Sequence, residues 1–326
     1  MSTRGDAASS RPGDEVQPEA VTPSLLRDWP LPGGGSGKDD RGSVLVIGGA
    51  RMTPGAVLLA GVAALRAGAG RLTLAVAESV AVQLAVALPE AGVLGLPETA
   101  SGSVRGGGAA SELASLLESA DAILIGPGLD DKDEATALLR ELLNGAQGTR
   151  PPGNKPPAII LDAFALGSLP ELADELEPWA GRLILTPNVT EAGILLGHDA
   201  GQLDRDVPEL AEKYGAVVSC QGVIARPPGA AEADDAASGA ESGDGGSLWK
   251  ITTGHSGLGT SGSGDVLSGT IAGLRARGTT DAQAVCWGTH LHASAGDRLA
   301  SRLGGLGYLA RELTEELPPL MMELGS

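Results

Sequence analysis

Thr252-Thr253-Gly254-His255-Ser256-Gly257-Leu258-Gly259-Thr260-Ser261-Gly262-Ser263-Gly264-Asp265 runs directly into the apolar stretch Val266-Leu267-Ser268-Gly269-Thr270-Ile271-Ala272-Gly273-Leu274. The first part is glycine and small hydroxyl residues. The second is compatible with a helix. A glycine-rich turn that opens into a helix aims several backbone N–H groups at one point, and the helix dipole adds partial positive charge there. The amides around Gly262, Ser263 and Gly264 therefore form an expected anion hole. Asp265 stands at its lip. A carboxylate repels phosphate, so its chemical use there is as a base that takes a proton from a hydroxyl about to be phosphorylated. Helix capping is the ordinary alternative for a lone Gly-Asp. The Gly262–Asp265 run, late in an alternating α/β chain, favours the base.

The turn needs a sheet behind it, and the upstream sequence supplies one. Val44–Ile47, Leu72–Val76, Val93–Leu96, Ala122–Ile125, Ala158–Leu161, Leu183–Leu185 and Ala216–Cys220 are short apolar runs. Runs without alternation belong to strands buried on both faces. Helical segments lie between them. Thr53-Pro54 reads as an N-cap followed by proline at the first helical position. This is an α/β fold with a mainly parallel central sheet and helices on both faces. Glycine and polar motifs follow the strands, and open α/β sheets bind ligands at the carboxyl ends of their strands. One site can then collect Gly49, Gly128, Asp162, Asn188, Glu191 and Gly222. Gly48-Gly49-Ala50 lacks the spacing of a dinucleotide fingerprint, so no Rossmann site is assigned.

Composition narrows the function classes. Aromatic residues make up 2% of the 326, so the core is built from Ala, Val, Leu and Ile. The net charge of −18 disfavours nucleic acid or an anionic membrane as partner. The same charge means that a phosphate ligand must be held by local N–H groups, a few cations or a metal. Cys220 and Cys286 have no disulfide or metal spacing and read as buried free thiols. With no apolar signal segment or membrane-length run, the expectation is a cytoplasmic protein.

Two stretches stand apart. Residues 1–40, rich in Pro, Gly, Ser and charge, read as a disordered N-terminal segment and linker, with a short docked helical turn over Thr22–Trp29. Residues 227–247 read as a disordered acidic insertion in a hairpin between Val223-Ile224 and Leu248–Ile251. Beyond the insertion and the anion hole, Ala282–Arg302 and Tyr308–Leu324 read as two helices. His290 and His292 lie in the first of them, where packing or hydrogen bonding is their expected role; His198 reads as a surface turn. Asn188-x-x-Glu191 reads as a helix cap, or as an organiser of magnesium and its waters near phosphates.

Taken in order, Val44–Ala50 with Gly55-Ala56, Ala64–Gly70, Ile125–Leu129, Leu161–Leu166, Leu185–Glu191, Gln221-Gly222, Thr253–Leu267 and Leu291–Asp297 resemble the ribokinase-like superfamily. Within it they are most similar to the NAD(P)H-hydrate dehydratase family. The resemblance implies one ribokinase-like domain over residues 41–326, ADP, or ATP in its place, with Mg2+ as cofactors, and a homotetramer. It implies that Asp265 is the catalytic base and that Ala56, Gly128, Asn188 and Asp265 line the hydrate site. It places Gln221, Gly222, Val223, Ile224, Ala225 and Gly264 at the adenine nucleotide, with Glu191 indirectly at the metal. The implied reaction phosphorylates the ring hydroxyl of (S)-NAD(P)H hydrate and expels phosphate to restore NAD(P)H, releasing AMP when ADP is the donor. The sequence departs from the family at four places. Asn188-Val189-Thr190-Glu191 replaces His-Pro-x-Glu, Gln221-Gly222 replaces Lys-Gly, Asp162-Ala163-Phe164 replaces Asp-Ala-Asp, and Gly257-Leu258-Gly259-Thr260 replaces Gly-Met-Ala-Thr. Because Asn-x-x-Glu also suits the vitamin and sugar kinases of the superfamily, a kinase for a vitamin-like alcohol stays open. So does a nucleotide sensor without turnover, given the lysine missing at Gln221.

Overall fold

The computed structural model describes residues 17–145, 155–229 and 246–325. Strand β1 (Glu19–Val21) leads to α1 (Pro23–Asp28). Then β2 (Ser43–Ile47), α2 (Pro54–Arg66), β3 (Arg71–Ala77), α3 (Glu78–Ala87) and β4 (Gly92–Leu96) alternate. They are followed by α4 (Ala109–Ser119), β5 (Ala122–Ile125), α5 (Lys132–Gly145), β6 (Ala158–Leu161) and the single turn α6 (Leu169–Leu172). The second half holds β7 (Leu183–Leu185), α7 (Val189–Leu196), α8 (Leu203–Tyr214), β8 (Ala216–Cys220), β9 (Val223–Arg226) and β10 (Ser247–Ile251). Helices α9 (Ser263–Ala276), α10 (Asp281–Leu303) and α11 (Ala310–Leu324) close the chain.

All these strands form one sheet of ten, in the order β1-β10-β9-β8-β7-β6-β5-β2-β3-β4. Every neighbouring pair is parallel except the two that β9 makes. The central strands β5, β6 and β7 are buried at every position, as their uninterrupted apolar sequences require. From β2 the chain builds outward through β3 and β4, then returns to lay β5 on the other side of β2. The chain therefore leaves β2 and β5 toward opposite sides, which makes this the switch point of the sheet, where open α/β sheets bind ligands.

Helix α9 lies against α2 at unusually close range. A methyl group at Gly269 would fall 2.1 Å from the Ala60 carbonyl oxygen, and one at Gly273 2.4 Å from that of Ala64. No side chain fits there, so the glycines allow backbone-to-backbone packing. That packing sets where the N-terminus of α9 lies.

The N-terminal expectation needs correction. Residues 1–16 lie outside the described residues, but residues 19–31 are not linker. Val21, Leu26, Trp29 and Leu31 are buried, and β1 pairs with β10 to form one edge of the sheet. The Trp29 carbonyl accepts hydrogen bonds from Trp287 Nε1 at 2.9 Å and Gln283 Nε2 at 3.1 Å. The Trp29 ring lies 6.3 Å from that of Trp249. A strap rich in proline and charge is held by long-range contacts that its own composition does not encode.

The acidic insertion falls mostly outside the described residues. Its ends are defined, because Arg226 and Ser247 are register partners in the β9–β10 ladder. The insertion therefore leaves and rejoins the sheet at one place, as the hairpin reading requires. Cys220 and Cys286 are buried free thiols, as expected. No helix among the described residues is long and apolar enough to cross a membrane.

Candidate active site

The loops after β2 and β5 are stitched together. Gly49 N–H donates to the Pro127 carbonyl at 2.8 Å and Ala50 N–H to that of Gly128 at 2.8 Å. Thr53 does not cap α2 as its sequence suggests. Its hydroxyl donates to the Gly128 carbonyl at 2.8 Å instead. Gly128 sits at φ 71°, and a methyl group there would lie 3.2 Å from Ala56 Cβ and 2.4 Å from the Thr53 carbonyl. Two residues 72 positions apart in sequence, Ala56 and Gly128, thus form one small-residue wall.

Asn188 and Glu191 form a reciprocal capping box at the start of α7. Glu191 N–H donates to Asn188 Oδ1 at 2.9 Å, and Asn188 N–H donates to Glu191 Oε2 at 2.9 Å. The capping expected of Asn-x-x-Glu is therefore present. Burial holds the Glu191 carboxyl above its ordinary range, and the nearby Asp162 charge adds to this. Among the described residues no group of three His, Cys, Asp or Glu side chains could hold a metal directly. A metal here would have to rely on water and on the nucleotide's own oxygens, as magnesium commonly does.

Asp162 sits at the carboxyl end of β6 and is 5% exposed. Thr186 Oγ1 donates to its carboxylate at 2.9 Å; Ser268, one turn beyond Asp265 on α9, donates to the Asp265 carbonyl at 3.3 Å and, like Thr186, favours the ionised form of Asp162. Burial still outweighs both and raises the Asp162 pKa. Neither Thr186 nor Ser268 is marked by the sequence; an isolated Thr before Pro and a Ser inside a helix carry no local signal.

At the opening of α9 the backbone makes the glycine turn that the sequence suggests, and one of the three expected amides is already engaged. Gly262 caps the helix at φ 88°, a conformation that favours glycine. Ser263 N–H turns back to the Thr260 carbonyl at 3.2 Å, and Val266 N–H donates to the Gly262 carbonyl at 3.2 Å. The N–H groups of Gly262, Gly264 and Asp265 are left to a ligand. Open space surrounds Gly264 on its side-chain side. The approach loop is tied down by Gly254 N–H donating to Asp297 Oδ2 at 2.9 Å. His255 Nδ1 accepts from Gly257 N–H at 3.0 Å, so His255 shapes the loop. The Asp265 carboxyl is pushed up to about 7, first by burial and then by the charge of Asp162. A base with that proton affinity is half ionised near neutral pH, the useful range for proton transfer.

The nucleotide residues divide. Gln221 and Gly222 form the two-residue turn between β8 and β9, both with positive φ, 45° and 83°. Gln221 is exposed and able to reach a ligand. Val223, Ile224 and Ala225 are not available in the same way. They lie inside β9 between β8 and β10, with side chains buried. Of the expected nucleotide set, Gln221 and Gly222 lie on the turn, and Val223, Ile224 and Ala225 follow it directly in β9 with their backbone as the part nearest the turn. His290 and His292 are both buried in α10, and His198 is exposed on the surface, each as its sequence context suggests.

A ten-stranded, mainly parallel sheet with a carboxylate at the glycine-rich mouth of a late helix defines a ribokinase-like α/β protein. Solved structures agree on the fold. A ribokinase-like superfamily protein from Enterococcus faecalis superposes with a TM-score of 0.72 at 22% identity, covering 94% of this chain and 96% of that one. An ADP/ATP-dependent NAD(P)H-hydrate dehydratase from Bacillus subtilis, co-crystallised with ATP and Mg2+, does so at 0.70 and 26% identity, covering 96% and 100%. The family model for NAD(P)H-hydrate dehydratase matches residues 44–319. The chain belongs to the NAD(P)H-hydrate dehydratase family. It is 40% identical over 308 residues to an ADP-dependent (S)-NAD(P)H-hydrate dehydratase of Xanthomonas campestris, covering 93% of this chain and 96% of that protein. It is 36% identical to a bifunctional NAD(P)H-hydrate repair enzyme of Moorella thermoacetica, of whose length it spans 50%.

Proposed function

We propose that this protein is an ADP-dependent (S)-NAD(P)H-hydrate dehydratase, and that Asp265 is its base. The observation that carries the reading is the placement of a half-buried carboxyl, poised near neutral pH, beside the unpaired N–H groups of Gly262 and Gly264. Asp265 takes the proton of the hydrated ring's hydroxyl. The hydroxyl oxygen bonds to the terminal phosphorus of ADP as the bond to AMP breaks. The amides at the mouth of α9 hold the charge that gathers on the phosphoryl oxygens. The ring nitrogen then pushes out phosphate, a neighbouring carbon loses a proton, and the reduced nicotinamide is restored.

The small-residue wall of Ala56 and Gly128, together with Asn188, would take the hydrated ring, and Gln221, Gly222, Val223, Ile224, Ala225 and Gly264 the nucleotide. Glu191 would hold Mg2+ through water, where the ion would neutralise charge on the nucleotide phosphates. A relative 40% identical over nearly the whole chain that is an ADP-dependent (S)-NAD(P)H-hydrate dehydratase favours this reading over a vitamin-type kinase. We carry the homotetramer as a proposal, supported by exposed apolar side chains at Met52, Val82, Val86 and Leu306. Cytoplasm is the compartment proposed.

The test is recovery of NADH absorbance when the protein meets chemically prepared NADH hydrate, with ADP and ATP supplied separately. Recovery with ADP, absent in Asp265→Asn, is expected. No recovery with either nucleotide in folded protein overturns the assignment.

A further inference from the structure

His292 lies on α10, 29 residues beyond Ser263, and is 8% exposed. Its Nε2 is 3.0 Å from the Ser263 carbonyl oxygen and 2.8 Å from Ser263 Oγ. Ser263 is itself 4% exposed. It is the first residue of α9, between the Gly262 cap and Gly264.

A carbonyl oxygen only accepts, so Nε2 carries the ring proton and donates. The partner carbonyl belongs to the peptide unit that joins Ser263 to Gly264. That unit is planar and trans, with its C=O and N–H pointing in opposite directions. A grip on the carbonyl end therefore fixes the direction of the Gly264 N–H at the other end. Gly264 N–H is one of the donors left open toward the ligand, with open space on that residue's side-chain side. Drawing electron density toward the carbonyl also makes the opposite N–H a better donor, as in any chain of hydrogen bonds. The serine hydroxyl, the second acceptor of the same ring proton, keeps its own hydrogen free to donate elsewhere.

We propose that His292 is a positioning residue for phosphoryl transfer: by holding the Ser263 carbonyl it aims the Gly264 N–H at the transferred phosphoryl group. The proposal rests on the anion-hole reading above. His292 touches neither reactant and acts through the peptide unit. The ring stays neutral at working pH, because burial pushes its pKa down to about 4. It therefore works as a fixed donor, with no proton exchanged during turnover. The residue belongs to no helix cap, and its partner lies on a different helix, so the contact joins α10 to the site.

The experiment compares His292→Leu, His292→Gln and His292→Asn in the full chain, reading kcat for NADH hydrate with ADP, the Kd for ADP, and Tm. Loss of a whole oxyanion donor slows enzymes by about 100- to 1,000-fold. A donor left in place but poorly aimed should lose less, on the order of 10- to 100-fold in kcat. The Kd for ADP should change by less than kcat does, because the aim matters most in the transition state. Glutamine places an amide N–H at the reach of Nε2 and should restore much of kcat; asparagine is too short and should not. His292→Leu at near-normal kcat overturns the proposal. If His292→Leu does not fold, equal kcat in the Gln and Asn variants overturns it, and higher kcat with Gln supports it. Gly264→Val separates this failure from failure of the anion hole, because its side chain enters open space in the free protein but blocks the approaching phosphoryl group. Full activity in Gly264→Val refutes the anion hole itself, and the His292 proposal with it.

Discussion

Replacing Asp265 by Asn should cost the protein its activity and make it more stable above neutral pH. The folded carboxyl titrates near 7 against 3.8 for the free group. Each unit of difference is worth about 1.4 kcal/mol, so ionising Asp265 in place costs the fold about 4 kcal/mol at most. The sign follows from the raised value. The stability contributed by this group is fully present below 3.8 and is lost as pH rises through about 7. Asparagine keeps the shape and has no charge to bury, so what it recovers grows as pH rises from 3.8 and is complete above about 7. Scanning calorimetry at pH 5 and pH 8.5 reads the effect. The Tm advantage of Asp265→Asn should be small at pH 5 and several degrees larger at pH 8.5. In parallel, kcat/KM of the native protein should rise with pH through about 7. An advantage equal at both pH values, or absent at pH 8.5, would falsify the idea that Asp265 is held ionised at a structural cost.

Three further outcomes follow from the same structure. Trp29→Ala empties a position 2% exposed and should destabilise the protein by about 3–5 kcal/mol in urea unfolding; a loss under 1 kcal/mol would return residues 19–31 to the status of linker. Gln221→Lys places a cation on the exposed turn and should tighten ADP binding about fivefold at low salt, with the gain shrinking as salt rises; titration calorimetry at two salt concentrations reads both, and an unchanged Kd would remove Gln221 from the nucleotide site. Asp162→Asn deletes the second cause of the raised Asp265 pKa, so the rising limb of the pH–kcat/KM profile should move to lower pH; a profile that stays put would mean that burial alone sets the base.

Much of the fold is legible in short runs of residues, because the responsible physics is local. Ala122–Ile125 and Ala158–Leu161 are apolar throughout, which only a strand covered on both faces tolerates. Gly262 at φ 88° with Asp265 three residues later is likewise a local solution to opening a helix under an anion. The capping box of Asn188 and Glu191 is written at a spacing of three. These features need no distant partner to be recognised.

The sequence by itself therefore determined the parallel α/β sheet, the glycine-rich mouth of α9 and the residue that would act as base there. Only the tertiary structure decided which neighbours those residues meet. It turned Thr53 from a cap into a tie to Gly128, recruited Glu19–Val21 as an edge strand, and buried the side chains of Val223–Ala225 in a strand between two others. It also set His292 against Ser263, through the close packing of α9 that Gly269 and Gly273 permit on α2 and the seating of α10 beside it. Backbone preference and periodicity act over a few residues and are readable in order. Contacts across tens or hundreds of residues depend on helix angles and strand register, which emerge only when the whole core is packed.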